Sequence, residues 1–294
     1  MAFCVRTDEA EAVSGQFLRC QECGSLYPNR FPGDHELAGY YAGYYTGRAP
    51  KVGWRSIPRA VLAFLRRNYL ARGVPPGARK VLDYGCGSGA FLARLGVARR
   101  DCAAFGSDLT PPSHVGPWRW IERAELGAAA PYDWITLSHV IEHVPDPAEV
   151  LGGLADHVGP DGGIWISTPN ADSFLFGAAG RWARDVDFPR HRIVFSREGL
   201  ERMARACGLA VAFRGAPRTN AALNAAATLS NIIRDRSASL WTKLTVAAGV
   251  CGGLAAHCLQ GRAARDATSP ELIALCFPTG GRVTSPLDPM ATAP

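Results

Sequence analysis

Two apolar periods alternate along the middle of the chain. Residues 80–84 (KVLDY) form a short unbroken apolar run closed by polar groups and read as a buried strand. Residues 90–95 carry apolar positions at helical spacing and read as the start of a helix. The pattern then repeats. A second strand is expected at 103–108 (AAFGSD), a short third at 118–121, a fourth at 132–138 (YDWITLS) and a fifth at 163–168 (GIWIST), with 150–158 helical. Ser196 stands as the N-cap of a helix that runs to Cys207 and stops at Gly208. Runs at 209–214 and 271–277 complete the strands. Strand–helix alternation of this kind predicts an α/β fold, a parallel sheet with helices on both faces.

The flanking regions follow other patterns. Residues 1–50 lack a clear period and are expected to form an irregular cap, with Cys4, Cys20 and Cys23 and a cluster of Tyr40, Tyr41, Tyr44 and Tyr45. In 51–78, Ile57, Val61, Leu62, Leu65, Tyr69 and Leu70 recur at helical spacing, so an amphipathic helix should end near Gly73, before Pro75-Pro76. The main domain is 79–278, and it holds a long connection at 215–269 before the last strand. A connection of that length is expected to be helical and to act as a roof or lid over the carboxyl edge of the sheet. Residues 279–294 are rich in Pro, Gly, Ser and Thr and read as a flexible tail. No internal repeat is visible.

Composition narrows the classes. The chain has 294 residues, 47% hydrophobic and 20% charged, which is an ordinary globular balance rather than a disordered or fibrous one. A formal charge of +6 is too mild to call for nucleic acid. That charge is unevenly placed, since the nine basic residues between Arg48 and Lys80 stand in a window with no acid and leave −3 for the rest. The basic helix is expected to cover the main domain with a solvated face, and an anionic lipid or substrate surface is the alternative. The apolar run at 246–256 is shorter than the ~20 residues of a membrane span. Asp8, Glu9 and Glu11 stand where a signal peptide would be apolar, so a cytoplasmic protein is expected, with peripheral membrane contact left open. Nine cysteines, most in apolar surroundings (Cys86, Cys102, Cys207, Cys251, Cys258, Cys276), suit reduced thiols rather than a disulfide framework.

The candidate chemistry begins at Asp83-Tyr84-Gly85-Cys86-Gly87-Ser88-Gly89, where a strand turns through glycines into a helix. Glycines there let backbone approach a ligand closely. Asp108 ends the next strand, about 20 residues on, in position to bond ribose hydroxyls. Gly85-x-Gly87-x-x-Ala90 also fits a dinucleotide fingerprint. Asp83 decides between the two, because a carboxylate two residues before the first glycine repels a pyrophosphate and suits a sulfonium and an amino group.

In order and spacing, VLDYGCGSG, FGSDL, YDWITLSHVIEHVPDP and GGIWISTPN resemble the successive motifs of class I S-adenosylmethionine-dependent methyltransferases. DFPRHRIVFSREGLERMARACGLAV resembles the subgroup of the ubiquinone-biosynthesis O-methyltransferases and of many natural-product and polysaccharide-cluster enzymes. The resemblance covers about 80–211 and the last strand. It implies a Rossmann-like sheet of seven strands with the last antiparallel, and S-adenosyl-L-methionine as cofactor. Carried over by position, Asp83, Gly85, Gly87 and Gly89 would cradle the methionine part, Asp108 would hold the ribose, and Ser138 and His139 would lie beside the cofactor. Between Asp108 and Tyr132 the sequence departs from the usual acidic adenine-binding motif, so no adenine contact is assigned.

His139-Val140-Ile141-Glu142-His143 also fits an inverted zinc-protease motif, but a strand precedes it and Pro145 follows, leaving no room for a long helix. In the resembling ubiquinone enzymes this stretch can bind a divalent metal through two acids and a histidine. Here His139 replaces the first acid, and a structural role closing the loop is expected, with no metal assigned. Methyl transfer needs alignment above all, and a hydroxyl acceptor gains from a base. His191, on the excursion after the fifth strand, is the first choice for that base and His143 the second. The alternative for His191 is to tie down its loop, and Arg190 has Asp185 and Asp187 as candidate partners. Cys20-x-x-Cys23 is half a zinc knuckle. With only Cys4, and His35 as a distant fourth, the ligand set is incomplete and no stable zinc is expected. The expected function is transfer of a methyl group to a small-molecule or lipid-like acceptor, at oxygen before nitrogen or carbon. A catalytically silent cofactor-binding scaffold and a nicotinamide oxidoreductase are the alternatives.

Overall fold

The computed structural model describes residues 10–13, 17–29, 73–112, 115–184 and 190–279. The basic segment up to Arg72, the tyrosine cluster, Cys4, His35, Asp185, Asp187 and the tail beyond Thr279 lie outside the described residues.

The main sheet has seven strands: β4 (Lys80–Tyr84), β5 (Ala103–Ser107), β6 (Arg119–Trp120), β7 (Tyr132–Ser138), β8 (Val158–Pro169), β9 (Leu209–Arg214) and β10 (Glu271–Pro278), in the order β6-β5-β4-β7-β8-β10-β9. Neighbours are parallel from β6 through β8, whereas β10 runs antiparallel to both β8 and β9. Successive side chains on a strand point to opposite faces. Leu82, Ile135, Ile164 and Leu272 therefore enter one core with Leu151, Leu200 and Met203, while Val81, Trp134, Trp165 and Ile273 enter the other with Phe91, Leu92 and Leu95. The first face is covered by α2 (Pro147–Ala155) and α4 (Arg197–Ala206), the second by α1 (Ala90–Ala98). As expected, the Ser196 hydroxyl caps α4 by accepting from Gly199 N–H at 2.9 Å, and Gly208 takes the positive φ of 73° that ends it.

Three expectations are corrected. The helix predicted at 150–158 begins earlier, at Pro147, because Asp146 accepts from the N–H groups of Ala148 and Glu149, and Val158 already belongs to β8. Among the described residues, the N-terminal region is not irregular. β1 (Ala10–Val13), β2 (Phe17–Cys20) and β3 (Leu26–Pro28) make an antiparallel sheet. Strands of three and four residues are too short to show a period, and their anchors are distant in sequence. Leu26 exchanges backbone hydrogen bonds with Val194 at 2.8 and 2.7 Å, and Arg19 donates to the Ala171 carbonyl at 2.9 Å.

The third correction concerns the apolar run at 246–256. The connection that holds it folds into α5 (Arg218–Arg234), α6 (Leu240–Leu259) and α7 (Arg262–Thr268). The apolar run is part of α6, whose 20 residues make it long and apolar enough to cross a membrane by length and composition, with 11% of the apolar window buried. Cys251 and Cys258 on it are exposed, not enclosed in apolar surroundings. Its inner side, with Val250 and His257, packs on α5 and on α3 (Phe174–Ala179).

Candidate cofactor and acceptor site

In an open α/β sheet, ligands dock at the carboxyl ends of the strands where the chain order reverses. Here the chain winds outward from β4 to β5 and β6, then returns to β7 on the other side of β4. The crevice opens above β4 and β7. Because β10 is antiparallel, its first residue, Glu271, reaches the same edge and pairs with Pro169 at the end of β8.

The turn after β4 is held open by its glycines. Gly85, Gly87 and Gly89 have φ of 78°, 55° and 66°. A Cβ at Gly85 would strike Val140, and one at Gly89 would strike Trp118, but one at Gly87 would meet nothing within 4 Å. Gly87 thus faces a space that a side chain would fill. Its N–H donates to Oδ2 of Asp108 at 2.7 Å, and Leu109 N–H donates to Oδ1 at 2.6 Å. Each oxygen keeps a lone pair for a further donor such as a ribose hydroxyl.

Asp83 lies beneath this turn, 6% exposed, and its Oδ1 accepts from the Thr136 hydroxyl at 2.7 Å. Burial pushes its carboxyl up to about 7; the Thr136 bond counters this and the nearby Asp108 charge adds to it. A buried acid with one neutral partner and a second carboxylate nearby would repel phosphate and welcome a cation. The residues present therefore fit a ligand with an ammonium group on its amino-acid end and a ribose, as S-adenosylmethionine has.

The turn after β7 carries the second group. Ser138 ends the strand in register with Ser167, and His139 follows with φ of 54°, its N–H donating to the Ser167 carbonyl at 2.8 Å. The His139 ring lies between two acids, Nδ1 at 3.2 Å from Glu142 and Nε2 at 3.6 Å from Glu271. Burial works against a charge on this ring, but the two carboxylates prevail and raise it to about 10. Burial likewise opposes ionisation of Glu142, and the His139 bond holds it down at about 2; Glu271 is lowered through the same balance. With 46% of the His139 side chain open to solvent, the ion pairs are partly screened. Glu271 also accepts from Asn220 of α5 at 2.6 Å and from the Ser167 hydroxyl, which ties the helical connection to the sheet edge.

The predicted bases are neighbours. The rings of His143 and His191 are 4.7 Å apart at 61°, and His191 is buried. His143 Nδ1 lies 3.0 Å from the Arg190 carbonyl, which can only accept, so Nδ1 carries the proton and Nε2 is the acceptor in the neutral ring. One donor atom each from Glu142, His143 and His191 falls within 4.8 Å of the others, a set that could hold a metal ion. However, Glu142 already meets His139 and the Thr168 hydroxyl at 3.1 Å, and the cationic His139 ring beside it opposes a further positive charge. Among the described residues, Cys20 and Cys23 join no group of three donors.

The structure thus brings Asp83, the three glycines and Asp108 together, sets His139, His143 and His191 about Glu142, and joins the two groups where Val140 packs on Gly85. Sequence reading missed Thr136, Thr168, Asn220 and Glu271. Thr136 could have been found as the one polar residue in the apolar stretch from Trp134 to Leu137. Glu271 has no local signal, being 104 residues from Ser167.

A family profile described as a methyltransferase domain matches residues 54–212. Among curated proteins, the ubiquinone biosynthesis O-methyltransferase of Marinobacter nauticus is 34% identical over 134 residues, 40% of this chain and 56% of that protein. That of Xylella fastidiosa is 29% identical over 49% of this chain and 63% of its own length. The chain therefore spans little more than half the length of the curated relatives it matches. A Burkholderia thailandensis 1,6-didemethyltoxoflavin-N1-methyltransferase, solved with S-adenosylhomocysteine, is 16% identical over 92% of this chain and 99% of that one, with a TM-score of 0.46. The profile covers more than half of the 294 residues and includes the glycine turn, both acids and the β7 motif, so the chain belongs to the methyltransferase-domain family.

Proposed function

We propose that the chain binds S-adenosyl-L-methionine above β4 and β7 and transfers its methyl group to a hydroxyl of a small, apolar acceptor. The observation that carries the reading is Asp83, a buried acid beneath a glycine turn that is itself bonded to Asp108. The cofactor, when bound, supplies a methyl group activated by a sulfonium. Asp83 would take the charge of its amino-acid end, Gly87 would leave room for its backbone-like part, and Asp108 would fix the ribose. His139, kept cationic between Glu142 and Glu271, would hold the β7 turn in place.

His191 would accept the acceptor's hydroxyl proton as the oxygen attacks, with His143 as its neighbour or substitute. Imidazole suits that transfer near neutral pH. Relatives named as O-methyltransferases support oxygen over nitrogen or carbon. The three-helix connection before β10 would form one wall of the acceptor's approach, through the Asn220–Glu271 bond. A reducing compartment such as the cytoplasm suits the free state of the eight cysteines among the described residues.

The test is to incubate the chain with a cell extract and a methyl-labelled donor, and to identify labelled products by mass spectrometry. A labelled methyl ether on a small molecule is expected. Label only on nitrogen or carbon would overturn the choice of atom, and no label in the presence of tight S-adenosylhomocysteine binding would favour the silent scaffold.

A further inference from the structure

The outward half of α6 differs from an ordinary solvated helix face. Leu240, Trp241, Leu244, Ala248, Ala255 and Leu259 are exposed there, and no exposed residue of α6 is charged. Trp241 is 80% and Leu259 87% exposed, and Ile233 on α5 is 68% exposed near the same end as Trp241. A helix face kept for water normally carries polar groups, and contiguous exposed apolar surface marks a partner.

We propose that this face seats the protein on an anionic lipid bilayer, with α6 lying along the headgroup layer. Charge complementarity selects that occupant. Cations stand at both ends of the apolar face, Arg234, Arg236 and Lys243 at one and Arg262 and Arg265 at the other. Asp235 and Asp266 are the only acids between residues 231 and 268. Asp235 is turned inward, accepting from Trp182 Nε1 at 2.8 Å and pairing with Arg181 at 3.3 Å. Anionic headgroups would meet the cations while Trp241, Leu244 and Leu259 enter the acyl boundary. Lying rather than spanning follows from the inner side, where Val250 is fully buried and His257 is bonded to Thr268 at 3.2 Å. A spanning helix would have to leave those contacts. The inference goes beyond methyl transfer and does not depend on which acceptor is used, although a membrane seat would give access to an apolar one.

The test compares the full chain with Trp241→Glu/Leu244→Glu, a double variant at exposed positions outside the site. Each is sedimented with phosphatidylcholine vesicles and with vesicles that also contain phosphatidylserine. Circular dichroism and S-adenosylhomocysteine binding report that the variant is folded. The full chain is expected to bind the phosphatidylserine vesicles, to release with added salt, and to lose about tenfold in bound fraction on double substitution. Failure to bind at low salt, or binding unchanged by the substitutions, overturns the proposal. So does a concentration-dependent dimer that the double variant abolishes, because the face would then meet a second copy of the chain.

Discussion

The Thr136 hydroxyl donates to the Asp83 carboxyl at 2.7 Å, across two neighbouring parallel strands. Among the described residues, it is the partner that tends to keep a charge on an acid that burial pushes up to about 7. An unfolded carboxyl would titrate at 3.8, so the folded chain holds a proton that the unfolded chain has given up. Stability of the ligand-free protein should therefore be greatest below pH 4 as far as this group is concerned, and decline as pH rises through 7. The full effect is at most about 4 kcal/mol. Affinity should move the other way. Ionised Asp83 is the form that meets a cation, so S-adenosylhomocysteine should bind about tenfold more tightly at pH 8 than at pH 6. Calorimetry at both values, with Asp83→Asn as the control, checks this; equal affinity in the native chain would contradict it.

Gly87 and Gly89 should respond differently to alanine. At Gly89 the added methyl meets Trp118, and unfolding by several kcal/mol is expected. At Gly87 it meets open space, so only the backbone cost of about 1 kcal/mol applies. Gly87→Ala should thus keep nearly native thermal stability and lose most of its S-adenosylhomocysteine affinity. If it binds normally, the open space is not the cofactor's.

Much of this arrangement was legible in the sequence because it is local. VLDYGCGSG contains strand, turn and acid within nine residues, and Asp108 ends the next apolar run. The antiparallel last strand came from family resemblance, not from periodicity, since a strand's direction leaves no mark in its own residues. What escaped notice was assembled by topology. Glu271 reaches the site only because β10 runs against its neighbours, and Asn220 only because α5 starts above it. The short β1–β3 sheet escaped because Leu26 finds its partner, Val194, far along the chain.

His139 takes φ of 54°, where a glycine would be relaxed. Replacement by glycine should nevertheless destabilise the protein by about 1–3 kcal/mol, because Glu142 and Glu271 lose their shared cation, partly screened by solvent. Denaturant midpoints of native and His139→Gly chains measure it. A more stable variant would mean that the ring is not charged in the folded state.

His191→Ala should lower turnover by 10²–10⁴-fold, the usual worth of a proton-transfer group, with cofactor affinity unchanged. His143→Ala should have a smaller effect. Single-turnover kinetics distinguish the two, and undiminished turnover in His191→Ala would remove it as base.

Glu142 is already paired with the cationic His139 ring, which opposes a metal ion beside it, so methyl transfer should survive chelation. Turnover after dialysis against a chelator should stay within about twofold of the untreated protein, well under the loss expected for a first-order metal requirement. A loss restored by a divalent cation would identify Glu142, His143 and His191 as ligands instead.

The central claim is that a buried acid under the glycine turn selects a nucleoside bearing an ammonium group over a phosphorylated one. Isothermal titration of the chain with S-adenosylhomocysteine and, separately, with NAD addresses it directly. Micromolar binding of the first, none of the second, and loss of the first in Asp83→Ala are predicted. Binding of NAD alone, or an Asp83→Ala chain that binds S-adenosylhomocysteine as well as the native one, would contradict it.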